Sequence, residues 1–132
     1  MLHRFTNLIL RWKLLPAYSL ILILLAVLPI NGPGSQINHI FIVSVRLDYL
    51  LHGLVYIPLA VLAVIDRKLM FGKSSLRTFG WFMVLIIFAA VTEWIQYYLP
   101  YRAFNINDLM ANILGIIIGF TMLFANRIQF VL

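Results

Sequence analysis

Residues 78–99 read TFGWFMVLIIFAAVTEWIQYYL. A helix crossing the hydrocarbon core of a bilayer needs roughly 17–25 mostly apolar residues, and this stretch qualifies. Its only ionisable group is Glu93, about two turns from its end, with Gln96 one turn further on and on the same face. A carboxylate that deep in an apolar helix is expected to face a bundle interior and to find a partner there. The stretch therefore predicts a membrane-spanning helix with a polar site near one end.

Three further apolar runs lie outside it. They cover residues 14–30, 47–65 and 108–125. With 78–99 they predict an all-α membrane protein, a bundle of about four transmembrane helices forming one domain over residues 1–132. The first run resembles a signal sequence in having basic residues before it. The segment Pro29-Ile30-Asn31-Gly32 offers no small-x-small cleavage site, so a retained helix is expected.

Composition agrees. Hydrophobic residues make up 64% and charged residues 11%, where soluble domains carry about 25% charged. Mean hydropathy is +1.01. The absence of cysteine excludes disulfides, thiolate metal sites and cysteine nucleophiles. A net charge of +6 would raise the question of nucleic acid in a soluble protein. Here the basic residues flank apolar runs, so they are read as topology signals and no nucleic-acid partner is expected.

Arg4, Arg11 and Lys13 precede the first run, Arg67, Lys68, Lys73 and Arg77 lie between the second and third, and Arg127 follows the fourth. Only Arg46 and Arg102 fall on the other side. Positive charge stays cytoplasmic, so both termini and the middle loop are expected inside, in a multi-pass protein of the bacterial cytoplasmic membrane. Trp12 and Trp81 then sit near the inner interface, and Trp94, Tyr97, Tyr98 and Tyr101 near the outer one. The segment Asn31 to Arg46 is too apolar for a solvated loop and is expected to lie on the outer surface as an interfacial or re-entrant piece.

The polar residues converge on that outer layer. Asp48 opens the second helix, with His52 one turn below it; Glu93 and Gln96 end the third; Asp108 opens the fourth, with Asn112 one turn below. Arg46 and Arg102 lie at the same level. Each has a structural reading too. Asn107 or Asp108 is expected to cap the fourth helix. Asn112 and His52 are candidates for interhelical hydrogen bonds, and Gly115-x-x-x-Gly119 for helix packing, within the bundle or at a homodimer face. Arg46 is a candidate interfacial anchor.

The pattern Asp48-x-x-x-His52, Glu93-x-x-Gln96, Arg102 and Asp108-x-x-x-Asn112-x-x-Gly115-x-x-x-Gly119 resembles the VanZ-like family over about residues 44–125. Tyr49 stands where that family often has lysine. The resemblance implies a multi-helix bacterial membrane protein, and an envelope setting, since name-giving members are associated with resistance to the antibiotic teicoplanin.

Three functions remain open. In the first, the outer cluster binds or modulates an envelope component such as a membrane lipid or lipid-linked precursor. Arg46 and Arg102 would pair with a phosphate or carboxylate, and Gln96, Asn112 and Tyr98 would add neutral hydrogen bonds. In the second, the protein is an intramembrane enzyme on a lipid-linked substrate. Asp48 would orient His52, Glu93 would act as general acid or base, and Arg102 would stabilise developing charge. Arg102 or His52 would hold Glu93 ionised. In the third, the layer serves proton-coupled transport or only locks the helices. One histidine with scattered carboxylates is a poor metal signature, so neither metal nor other cofactor is expected.

Overall fold

The computed structural model describes residues 2–29, 39–42, 44–71 and 75–129, with side chains described for 13–29, 39–42, 44–65 and 76–122. In chain order it contains α1 (Leu2–Val27), β1 (Phe41–Ile42), β2 (Val45–Arg46), α2 (Leu47–Phe71), α3 (Ser75–Tyr97) and α4 (Ile106–Gln129). Each helix outruns its apolar run at one end or both, although α1 and α3 stop two or three residues short of theirs at the C-terminal end. Hydropathy ends where charge begins, but arginine, lysine, leucine and methionine are good helix formers. Thus α1 continues back through Arg11 and Arg4, and α2 continues through Arg67 and Lys68.

Two helices are long and apolar enough to cross a membrane, over Leu47–Ile65 and Leu76–Tyr97. Lys13–Val27 in α1 and Ile106–Met122 in α4 are shorter apolar stretches. Only 33% and 22% of the two long windows are buried inside the protein. A soluble core helix would be mostly buried. Here Leu54, Phe79, Val84, Ile87 and Val91 point outward, as do Leu20 and Leu24 of α1 and Leu114 and Ile118 of α4. An apolar exterior of this extent calls for lipid as solvent.

The core runs between the helices through Leu22, Tyr56, Leu59, Ala60, Ala63, Val64, Leu85, Ala89, Ile116 and Phe120. Trp81 packs partly against it, and the side chain of Trp12 lies outside the described residues. Apolar contact alone gives little drive for association between helices in lipid, so close backbones and hydrogen bonds carry more of the load. Both occur. A Cβ at Gly115 would overlap the Gly53 carbonyl, and one at Gly119 would come within 2.7 Å of both the Ala60 side chain and the Ile57 carbonyl. Helices α2 and α4 therefore meet backbone to backbone. The Gly115–Gly119 face is occupied inside the chain. The Tyr18 hydroxyl donates to the Val55 carbonyl (2.8 Å), joining α1 to α2.

Most of the expected interfacial segment, residues 31–38 and Val43, lies outside the described residues, as does Lys73 of the middle loop. The remainder is a two-stranded antiparallel hairpin pairing Phe41 with Arg46 and Ile42 with Val45. Ser44 turns the chain at φ 67. The Leu47 amide closes the hairpin onto the Ile40 carbonyl (2.9 Å), so strand passes directly into α2. Ile40, Phe41, Ile42 and Val45 are exposed.

Candidate functional site

The residues singled out in the sequence come together at one end of the bundle. Asp48, Glu93, Gln96, Asp108 and Asn112 are all buried, and His52 and Arg102 are partly so. Three helices contribute, because each places its polar turn next to the same end. Their partners differ from the simplest expectation.

Asp48 does not pair with His52. Both its oxygens are taken by Arg46: Nε donates to Oδ1 (3.1 Å) and Nη2 to Oδ2. The guanidinium also lies 4.5 Å from the centre of the Tyr49 ring, within cation–π range. The Asp48 hydrogen bonds hold Arg46 above the ordinary arginine pKa. A cation thus meets Asp48 although position 49 carries none; the hairpin delivers it from β2. Arg46 is consequently an ion-pair partner more than a free interfacial anchor.

His52 turns to α4. Its Nδ1 lies 3.2 Å from the Asn112 Oδ1, and its Nε2 3.8 Å from the Asp108 Oδ2. One face of the imidazole thus bridges the first two turns of that helix. The other Asp108 oxygen, Oδ1, is buried without a hydrogen-bond partner among the described residues.

Glu93 is 1% exposed. Neither Arg102 nor His52 is its hydrogen-bond partner. Its Oε1 accepts from the backbone amide of Asn105 (3.0 Å), and Oε2 has no hydrogen-bond partner among the described residues. Asn105 is also the cap of α4, the role expected of Asn107 or Asp108. Its Oδ1 accepts from the Asn107 amide (3.1 Å) and its carbonyl from the Asp108 amide (3.1 Å). The pattern Asn105-x-x-Asp108, a capping side chain followed three residues later by an acid, was the available signal. The Asn107 side chain reaches α2 instead, donating to the Tyr49 hydroxyl (3.3 Å).

Arg102 reaches across to α1. Its Nη2 donates to the carbonyls of Leu28 (2.7 Å) and Leu25 (3.3 Å), and the Tyr101 hydroxyl donates to the Val27 carbonyl (2.7 Å). The last carbonyls of a helix lack intrahelical donors, and this loop supplies them. Burial lowers the Arg102 pKa from its ordinary value, opposed chiefly by the nearby Glu93 charge. Tyr98, expected to add a hydrogen bond, is 69% exposed and stands against Trp94 and Tyr97.

These contacts leave a cavity of about 160 Å³. Leu22, Leu25 and Ala26 of α1, with Leu51 and Val55 of α2, form an apolar wall. Asp48, His52, Tyr56, Thr92, Gln96, Arg102 and Asn112 form a polar one. Sequence reasoning missed Tyr56, Thr92 and the α1 wall. Ordinary apolar and hydroxyl side chains in apolar helices carry no signal until the helices are placed. Glu93 and Asp108 are not among the lining residues. No group of three or more histidine, aspartate or glutamate side chains suited to a metal ion occurs among the described residues.

No curated protein and no solved structure matches the chain. A family model described as VanZ/LLP1 matches residues 11–128, which include every residue of the polar layer and all four apolar stretches. With nearly the whole sequence and the assembled layer inside that match, the chain belongs to the VanZ/LLP1 family, a family of membrane-associated proteins.

Proposed function

We propose that this protein is a multi-pass component of the bacterial cytoplasmic membrane that binds an amphiphilic envelope component, a lipid or lipid-linked precursor, in the cavity at the outer end of its bundle. One observation carries this reading: a cavity lined by five apolar residues and seven polar or charged ones. Such a lining suits a molecule that is itself half polar and half apolar. The outer placement rests on the basic residues, eight of which flank the opposite ends of the helices.

The geometry supports binding better than acid–base chemistry. Both ring nitrogens of His52 face α4. Glu93 faces the Asn105 amide. Asp48 is closed off by Arg46. Among these, only Asp48 and His52 line the cavity, and both are engaged by side-chain partners. A general acid or base must reach the proton it moves.

The test compares lipids copurified with the wild type and with a His52→Ala/Asn112→Ala variant, by mass spectrometry. A specific lipid held by the wild type and lost from the folded variant is expected. Identical lipid profiles would sink the proposal. Orientation is checked separately with single cysteines at Lys73 and at Tyr98 in this cysteine-free chain. A membrane-impermeant thiol reagent on intact cells should label Tyr98→Cys and not Lys73→Cys.

A further inference from the structure

The polar wall differs from the expected anion receptor in a way that specifies the headgroup. Asp48 and Arg46 neutralise one another through two hydrogen bonds. Arg102 is committed to the carbonyls at the end of α1 and lies in the field of Glu93. A phosphate entering here would compete with the Asp48 carboxylate for Arg46 and with the α1 carbonyls for the Arg102 Nη2.

Three neutral groups of the lining also offer hydrogen-bonding capacity. Gln96 is 5% exposed, lines the cavity, and its carboxamide makes no hydrogen bond among the described residues. Its amide is open to a partner inside the cavity. Asn112 uses Oδ1 on His52 and keeps its amino group. The Thr92 hydroxyl donates to the Ala89 carbonyl, so the Tyr56 hydroxyl must donate to Thr92, leaving the Tyr56 oxygen as an acceptor. These neutral donors and acceptors side by side complement a hydroxyl group, which is both.

We infer that the cavity takes an uncharged, hydroxyl-bearing lipid headgroup, a glycerol or a single sugar ring on an apolar chain. This rests on the binding function proposed above. A cavity of about 150 Å³ holds a benzene-sized group, so this one, at about 160 Å³, takes a glycerol or part of a sugar ring. The wall formed by Leu22, Leu25 and Ala26 provides the apolar track that a free sugar would not need.

The test uses the purified full chain in detergent, offered a monohexosyl diacylglycerol or a phosphatidylglycerol with the same acyl chains, with retention read by native mass spectrometry. Retention of the neutral lipid should exceed that of the anionic one by about tenfold, the scale of one or two hydrogen bonds. It should fall about tenfold in Gln96→Leu, or in Gln96→Glu should the first variant not fold, and be lost when Leu51→Trp fills the cavity. Preferential phosphatidylglycerol retention that Leu51→Trp abolishes would overturn the headgroup assignment and leave the binding function standing. Retention of neither lipid by folded wild type, or retention indifferent to both substitutions, would overturn both. Equal competition by a soluble methyl hexoside would show a free sugar as the ligand and overturn the lipid assignment.

Discussion

Along the α2–α4 seam the two backbones touch; along α3 the contacts are made by side chains. At the seam, Gly53, Gly115 and Gly119 remove the atoms that would hold the helices apart. On α3, Leu85, Ala89, Thr92, Glu93 and Gln96 are buried, and its one glycine, Gly80, faces open space. The seam is therefore intolerant of added volume where the glycines lie. The α3 flank has no such close approach and holds buried polar groups beside a cavity. Close backbone packing makes a rigid wall, and a side-chain interface leaves room for a ligand.

The largest effect should come from the seam. Gly115→Val is expected to lower stability by about 3 kcal/mol or more, because the nearest obstacle is a carbonyl of α2, not a flexible side chain. Thermal unfolding of the purified protein checks this, and an unchanged midpoint would mean the helices do not meet there. Glu93 should show the opposite sensitivity. Glu93→Leu removes the acceptor for the Asn105 amide and should cost about 1–3 kcal/mol. Glu93→Gln keeps an acceptor oxygen and should stay within about 1 kcal/mol of wild type. Equal losses for the two would show that charge, not the hydrogen bond, matters at this position.

A smaller, local effect is expected at the loop that caps α1. Arg102→Ala should speed hydrogen exchange over the last turn of α1, near Leu24–Leu28, before it changes global stability. Tyr101→Phe deletes one bond to Val27 and should cost about 0.5–1.5 kcal/mol. The smallest effect sharpens the contrast between glycines: Gly80→Ala should be neutral or stabilise by up to about 1 kcal/mol, since a helical alanine is preferred where nothing stands in its way.

The amino-acid sequence by itself pointed to lipid as solvent, to the four helices and to the ionisable and amide members of the polar layer. Periodicity and hydropathy are local properties, and a carboxylate such as Glu93 in an apolar helix is conspicuous wherever the helix goes. Its spacing also marked Gly115 and Gly119. It did not mark Gly53, because a lone glycine in an apolar run becomes meaningful only opposite another helix. Pairing within the layer was likewise decided by the tertiary structure. Asp48 and His52 share a helix face at one-turn spacing, yet the hairpin carries Arg46 to the first and α4 carries Asn112 to the second. The same holds for Glu93 with Asn105, for Arg102 with the end of α1, and for the apolar wall that α1 adds to the cavity. A hydrogen bond is fixed by distances of about 3 Å between atoms far apart in the chain, and those distances exist only once the helices have packed.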